Sequence, residues 1–331
     1  MPLTTHRCYH RWLAGALLLV LLLITPKAWA CTVSPSTSAN FGNISSFAIT
    51  NTPRDTSAQP NADAVCQGSV LGLAVVSDQW IRATVTSANQ GELVNVASGD
   101  AIPFRIFALA SENEEIFLNT TYNYFNSVLI DLLGLLGGQS VDIPMEFRTQ
   151  PTANVAAGTY TDTLTVNWNW RICNLGVLVC LSYRTGSGTN TITINLTVTP
   201  DCAIQAPDLN FGSSPLVAGF NPVTQTIDIT CTKGSDYSVG LSDGQHPAAN
   251  IRRMENNGHY LEYQLYKGTT GNDRWGSTGS ERRPSSSADT NPGTPSGITS
   301  QGFTYRGDIL PGQNTPPAGT YTDMIVVDVI F

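Results

Sequence analysis

The fold is decided by the last fourteen residues of a 331-residue chain, Ala318-Gly319-Thr320-Tyr321-Thr322-Asp323-Met324-Ile325-Val326-Val327-Asp328-Val329-Ile330-Phe331. Their first six repeat Ala157-Gly158-Thr159-Tyr160-Thr161-Asp162 letter for letter. Working outward, each copy of that motif closes a longer repeat. One begins at Cys31, reaches Phe41-Gly42 and then Cys66; the other begins at Cys202, reaches Phe211-Gly212 and then Cys231. First cysteine to phenylalanine is 10 and 9 residues, and second cysteine to motif glycine is 92 and 88. Such self-similarity marks two related modules, with a boundary near Thr199-Pro200.

Past the motif the two copies diverge. After Asp162, the apolar Leu164, Val166, Trp168 and Trp170 alternate with Thr and Asn, the period of a half-buried strand. Beyond a loop, Ile192, Ile194, Leu196 and Val198 alternate with Thr191, Thr193, Asn195 and Thr197, a further strand. After Asp323 only eight residues remain, so the second copy lacks that last strand. Short β-branched and aromatic runs such as Thr226–Thr230, Tyr237–Leu241 and Tyr263–Tyr266 lie between Gly, Pro, Asn and Ser. No long stretch has capped helical periodicity. The expected fold is all-β, two immunoglobulin-like β-sandwich or barrel domains, the C-terminal one lacking its final strand. The expected domains are 31–199, a complete sandwich, and 200–331, an incomplete one; a complete sandwich with fewer strands is the rival reading of the latter. A missing strand leaves an apolar groove and unpaired backbone groups. Ile325, Val327, Val329 and Phe331 are expected to line or flank it.

Composition sets the outer limits. Charged residues make up 13%, against roughly 25% in average proteins, and the net charge is −8. That excludes a basic nucleic-acid footprint. Residues 1–30 read as a secretion signal: Arg7 and Arg11, an apolar run from Trp12 to Ile24, and the small-x-small Ala28-Trp29-Ala30. That run is too short for a membrane anchor, and Ala28-Trp29 fits a lipoprotein signal before Cys31 poorly. Cleavage after Ala30 leaves 14 basic against 25 acidic residues, a mature charge of −11, and starts the chain inside the first repeat at Cys31. Nothing then precedes that domain to donate as a strand, so the molecule is expected to terminate a head-to-tail assembly. Six cysteines remain, an even number in an exported chain. Of 15 formal pairings, proximity and the repeat favour Cys31–Cys66, Cys173–Cys180 and Cys202–Cys231. No paired His or C-x-x-C supports a metal.

These residues resemble the spore coat protein U domain family, pilus subunits of archaic chaperone–usher systems. The resemblance rests on Cys202, Phe211-Gly212, Cys231, Arg253-Met254, Tyr260-Leu-x-Tyr-x-Leu-Tyr266, Trp275-Gly276 and Gly319–Asp323. The first repeat keeps its cysteines, Phe41-Gly42 and Gly158–Asp162 but lacks the Tyr-Leu and Trp-Gly elements. The two-domain layout is similar to that of a tip adhesin of these pili. It implies donor-strand complementation of the second domain, first by a periplasmic chaperone and then by the N-terminal strand of the next pilus subunit. It also implies passage through an outer-membrane usher to the cell surface, and attachment to an abiotic or host surface in biofilm formation. Adhesion through apolar loops is implied as well. The candidates are Leu132, Leu133, Leu135 and Leu136 in the Gly-punctuated 128–138; Leu175, Val177, Leu178 and Val179 between Cys173 and Cys180; and Trp80 and Ile81 in a turn from Asp78. Exposed apolar patches mark contact surfaces. The rival readings are a short buried helix for 128–136, ordinary hairpin packing for 175–179, and core burial for Trp80.

No catalytic motif is present: no H-E-x-x-H, G-x-S-x-G or phosphate loop. His246 and His259 lie in Gly/Asn-rich sequence, and Glu112, Glu114 and Glu115 read as a solvated turn. Asp162 and Asp323 read as strand-cap hydrogen-bonding groups. The expectation is a non-enzyme without cofactor or metal. A minor or shaft pilin is one alternative; a lectin stacking sugars on Trp80, Trp168, Trp170, Tyr122 and Tyr124 is the other, though Trp168 and Trp170 share one strand face. Gly268–Gln301 reads as a long, partly disordered surface loop with Arg274, Arg282 and Arg283 as solvated charges.

Overall fold

A computed structural model describes residues 30–56, 61–67, 78–108, 114–125, 140–175 and 179–331. The expected secretion signal up to residue 29 lies outside them. The N-terminal repeat is built from β1 (Cys31–Val33), β2 (Ser36–Ser45), β3 (Asn61–Gln67), β4 (Trp80–Ser87), β5 (Glu92–Val94), β6 (Ala101–Phe107), β7 (Thr121–Asn123), β8 (Ser140–Pro144), β9 (Glu146–Thr149), β10 (Gly158–Leu175) and β11 (Ser182–Thr199). One sheet runs β1-β3-β8. The other runs β2-β11-β10-β5-β6-β9, with β4 pairing both β10 and β7.

The hairpin of β10 and β11 is the spine of this repeat. The two 18-residue strands pair antiparallel from Gly158 opposite Val198 to Leu175 opposite Ser182. Successive side chains of a strand point to opposite faces, so Leu164, Val166, Trp168, Trp170 and Ile172 enter the core together, as do Ile192, Ile194, Leu196 and Val198. Trp168 donates its indole N–H to the Asn190 side-chain oxygen (3.0 Å) and stacks on Tyr124. A Cβ on Gly186 would lie 2.5 Å from the Trp170 ring, so bare backbone is what admits that indole. The rings of Trp168, Trp170 and Tyr124 are buried, which removes them from any sugar-stacking surface.

Strand β11 also pairs in parallel with β2, sealing the second side. The register slips at Phe41-Gly42, where Gly42 takes a φ of 76° and the Asn40 side chain accepts its N–H (2.7 Å). That is the extra residue and local bend of a β-bulge. Burying one Leu, Ile or Val side chain is worth about 1.5–3 kcal/mol. The four from β11 therefore contribute on the order of 6–12 kcal/mol, an upper bound, against a typical net domain stability of about 5–15 kcal/mol. A repeat of this type depends on that strand.

The C-terminal repeat comprises β12 (Cys202–Gln205), β13 (Val223–Cys231), β14 (Ser238–Leu241), β15 (Arg252–Asn256), β16 (His259–Lys267), β17 (Arg283–Pro284), β18 (Gln301–Ile309) and β19 (Val327–Ile330). These form sheets β12-β13-β18-β16-β15 and β17-β14-β19 around Ile229, Leu265, Trp275, Phe303 and Tyr305. Arg252 is fully buried and donates to the carbonyls of Leu241, Ser242 and Trp275 and to the Gln264 side chain. Burial, aided by the neighbouring Arg274 charge, pushes its pKa down to about 10, so it stays charged at neutral pH. Every donor of that charge has to be satisfied for burial to be tolerated.

Residues 268–301 are largely irregular, as a surface loop should be, but they are fastened in place and their arginines are not merely solvated charges. Trp275 is buried and donates to the Val239 carbonyl (3.0 Å). Arg274 pairs with Asp243 and Glu281, Arg282 with Asp328 (2.6 Å) and Arg283 with Asp289 (3.0 Å). One indole and three ion-paired arginines fasten a segment whose average composition is that of a loop. All three expected disulfides are formed. Where the repeats meet, Ser46 and Thr232 share a buried hydroxyl–hydroxyl hydrogen bond (2.6 Å), Ser45 donates to Asp201 (2.6 Å), and Lys233 pairs with Asp100 (2.5 Å).

Candidate functional site

The two repeats place matching residues in matching roles up to one point. Asn210 accepts the Gly212 N–H (2.8 Å) at a φ of 77°, as Asn40 does for Gly42. Tyr321 donates to the Pro317 carbonyl (2.8 Å), as Tyr160 does to Ala156 (2.7 Å). Asp323 accepts the Gln245 and Met324 N–H groups (2.8 Å each) and the Tyr263 hydroxyl (2.7 Å). Asp162 accepts the Ser87 hydroxyl (2.6 Å) and the Asn89 and Thr163 N–H groups. Hydrogen bonding of this kind accounts for both aspartates. Burial, with the Asp323 carboxylate beside it, pushes the Tyr263 pKa well above the usual phenol range.

The difference lies in the space between Phe-Gly and the closing motif. In the N-terminal repeat β11 fills it. In the C-terminal repeat no strand occupies it among the described residues, and a groove of about 680 Å³ runs there instead. One wall is residues 206–214, with Leu209 and Phe211; the other is residues 319–327, with Tyr321, Ile325 and Val327. Its floor carries Ile227, Leu241, Met254, Leu261, Tyr263 and Leu265. Among the described residues, no backbone–backbone hydrogen bond ties residues 206–213 to another segment. On the far wall, before β19 begins, Thr322 is bridged to Glu255, and Val326 accepts the Ser242 N–H (2.9 Å) and donates its own N–H to the Ser242 hydroxyl (2.8 Å). Two largely apolar walls, much of whose backbone lies outside any ladder among the described residues, thus flank the groove.

The expected groove residues divide. Ile325 and Val327 line it, while Val329 packs on the core beside it. Phe331 does not: it is 52% exposed and beyond the paired residues, because Val327–Ile330 hydrogen-bond to Ser238–Leu241 and carry the chain end away from the slot. Met324, Val326 and Ile330 point outward and are exposed, so this segment is apolar on both faces.

The other candidate surface is the far end of the β10–β11 hairpin. Cys173–Cys180 closes it, the Gln79 side chain accepts the Cys173 N–H (2.7 Å), and the Leu181 N–H donates to the Leu175 carbonyl (2.7 Å). Leu175, Val179 and Leu181 are 43%, 66% and 77% exposed. Leu175 and Val179 are expected there from the sequence; Leu181, one residue beyond the second cysteine, is not. Val177 and Leu178 lie outside the described residues, as do Leu132, Leu133, Leu135 and Leu136. Ile81 is corrected: as the second residue of β4 it lies opposite Trp170 and is fully buried. The expected turn at Asp78 ends before Trp80, so alternation sends Ile81 inward and Trp80 outward. Trp80 is half-buried under the guanidinium groups of Arg82 (4.6 Å) and Arg171 (5.2 Å). Elsewhere, Glu115 pairs with Arg105, and Glu114 accepts the Tyr122 hydroxyl (3.0 Å).

The Spore Coat Protein U domain family model matches residues 17–167 and 188–328. Among solved structures the chain is similar to the CsuC–CsuE chaperone–tip adhesion subunit pre-assembly complex from the archaic chaperone–usher Csu pili of Acinetobacter baumannii. Identity is 25% and the TM-score 0.61, over 91% of this chain and 100% of that one. A weaker match, to the CupB6 tip adhesin of Pseudomonas aeruginosa, has 10% identity and a TM-score of 0.29 over 84% and 85% of the two chains, too slight to bear on function. No curated protein matches the chain significantly.

Proposed function

This chain belongs to the Spore Coat Protein U domain family, and from that premise we propose that it is the tip adhesin subunit of an archaic chaperone–usher pilus. In this reading residues 31–199 form the adhesive domain and residues 200–331 the domain that joins the pilus. The observation that carries it is the open groove of the C-terminal repeat, where the N-terminal repeat holds β11. A periplasmic chaperone fills the groove first, and the N-terminal strand of the next subunit replaces it after passage to the outer-membrane usher. Ladder hydrogen bonds to the unladdered backbone of residues 206–211 and of Tyr321, Asp323 and Ile325 supply affinity, and alternate side chains over Ile227, Leu241 and Leu265 supply register.

Adhesion is assigned to the hairpin end, where Leu175, Val179 and Leu181 are exposed. A sugar-stacking surface has less support, since Trp168, Trp170 and Tyr124 are internal.

The test separates the two ends. Phe211→Asp, in the groove wall, is expected to abolish incorporation into pili. The triple change Leu175→Ser, Val179→Ser, Leu181→Ser is expected to leave piliation intact and abolish attachment to hydrophobic plastic. Normal attachment by piliated triple-mutant cells would refute the adhesive assignment, and normal piliation by Phe211→Asp would refute the groove.

A further inference from the structure

Strand β11 turns five side chains into the core of the N-terminal repeat, and one of them is polar. Asn190, Ile192, Ile194, Leu196 and Val198 are each 1% exposed or less. In register they face Val166, Leu164, Asp162, Tyr160 and Gly158 of β10. A polar group in such a row is tolerated only with a partner. Here the Asn190 side-chain oxygen accepts the indole N–H of buried Trp168 (3.0 Å). Each group answers the other: take away the indole and the amide oxygen loses this donor, take away the amide and the indole loses this acceptor.

The C-terminal groove repeats the wall that β11 meets, up to that pair. Counted from the shared motif, Val327, Ile325, Asp323, Tyr321 and Gly319 stand where Val166, Leu164, Asp162, Tyr160 and Gly158 stand, and all five line the groove. Four are identical and the fifth exchanges Leu for Ile. Six residues past the aspartate the match ends: Trp168 has Val329 as its counterpart, packed on the core. Valine carries no hydrogen-bond donor, so a strand that brings an amide to the Asn190 position of the groove meets no indole there. The lining holds three tyrosines. Tyr263 and Tyr321 donate to Asp323 and to the Pro317 carbonyl, which leaves the Tyr305 hydroxyl as the phenol that such an amide would have to find.

The chain therefore carries, in β11, one strand of the kind its own open groove is shaped to take. Entry of β11 from one copy into the groove of another is a head-to-tail contact, and head-to-tail contacts that do not close run on as filaments. A single buried polar residue among apolar ones ties a segment to its proper place, because it is satisfied there and orphaned elsewhere. Asn190 stands at the one inward position of β11 where the two slots differ in hydrogen-bonding capacity along the facing strand.

We propose that Asn190 is a specificity residue that assigns β11 to the N-terminal slot and against the C-terminal one, and that the strand accepted from a partner carries an apolar side chain at the equivalent position, facing Val327. This rests on the reading of the groove as an acceptor of an extended strand, and adds to it which side chain that strand presents at one end.

The test crosses one substitution with the two slots. Peptides spanning Gly188–Thr199, of parent sequence or with Asn190→Leu, are titrated against the purified mature chain, and the C-terminal unfolding transition is followed. Leucine keeps the shape of asparagine and removes its amide. The Asn190→Leu peptide should bind about tenfold more tightly than the parent peptide, the scale of a buried polar group spared the loss of its partner. The same exchange at Asn195, on the outward face of the strand, should change affinity by no more than about twofold. Within the chain the order reverses. Asn190→Leu should lower the N-terminal transition by about 4 °C or more, because the indole N–H stays buried without this acceptor. In a Trp168→Phe chain, which has no indole donor, the same substitution should raise that transition, a change of sign that an asparagine acting only through its packing would not give.

Equal affinity of the two peptides overturns the proposal, as would follow if the Tyr305 hydroxyl stood in for the indole. So does an Asn190→Leu effect of the same sign and size in the parent and Trp168→Phe chains. The failure of the acceptor reading looks different: neither peptide then moves the C-terminal transition at any concentration, and both readings fall together. Binding of both peptides without preference leaves the groove standing as an acceptor and removes only the assignment of Asn190.

Discussion

Phe41 and Phe211 hold the same place in the two repeats, each before a left-handed glycine capped by an asparagine two residues back. Phe41 is sealed and Phe211 is half-open. The same contrast separates Tyr160 from Tyr321 and Leu164 from Ile325. One strand makes the difference: β11 lies between β2 and β10, and nothing among the described residues lies between 206–214 and 319–327. On the proposed reading, the N-terminal repeat records what the C-terminal groove is shaped to receive. Its occupant should present apolar side chains at every second position, run antiparallel to the closing motif and run parallel to the Phe-Gly wall, as β11 does.

Substitutions in β11 bear hardest on this contrast. Leu196→Asp places an unpaired carboxylate in the N-terminal core and is expected to cost about 5 kcal/mol or more. By calorimetry the N-terminal transition should vanish while the C-terminal one persists; loss of both together would mean that the repeats do not fold as separate units. The matched pair Leu164→Ala and Ile325→Ala comes next. About 3 kcal/mol is expected at the sealed position and about 1 kcal/mol at the open one, measured by urea unfolding. Equal losses would mean that the groove is closed in solution.

Removing the Cys173–Cys180 bond by Cys→Ser at both positions should lower stability by at most about 2 kcal/mol, since its loop is short. Attachment should fall far more than stability does, as the apolar end loses its clamp.

The smallest effect concerns the junction. Burial disfavours the Asp100 carboxylate, but hydrogen bonds from Lys233, the Ala156 N–H and Ser98, with the Lys233 charge, outweigh it and hold its pKa below the usual value. A depressed carboxylate stabilises the folded state above its unfolded pKa of about 3.9 and loses that contribution as pH falls through the folded value. Lys233→Ala should therefore cost about 0.5 kcal/mol at pH 7 and nothing measurable near pH 2, where the parent has already lost the pair.

Strand periodicity makes most of this legible in advance. Leu164 to Trp170 and Ile192 to Val198 alternate cleanly, because each strand has one wet face, and the duplicated motif exposes the missing partner by comparison alone. Composition misleads at residues 268–301, where a window average hides one buried indole and three ion-paired arginines, two of them reaching Asp243 and Asp328 outside the segment. Ile81 is misplaced from sequence because Asp78-Gln79 has the look of a turn, and a strand start fixes which neighbour of Trp80 points inward. Phe331 is misplaced because pairing of β19 with β14, a tertiary fact, decides where the chain end goes. The stacking of Arg82 and Arg171 on Trp80 is spread over two strands, and only their register brings it together.

Thermal unfolding of the mature chain with and without a peptide of sequence Asn190–Thr199 tests the groove most directly. With peptide, the C-terminal transition is expected to rise by about 10 °C or more at saturating peptide and to keep rising with its concentration, as for any ligand of the folded state alone. The N-terminal transition, its slot already filled by β11, should not move. A C-terminal repeat that unfolds at the same temperature with and without the peptide would contradict the groove as an acceptor of a missing strand.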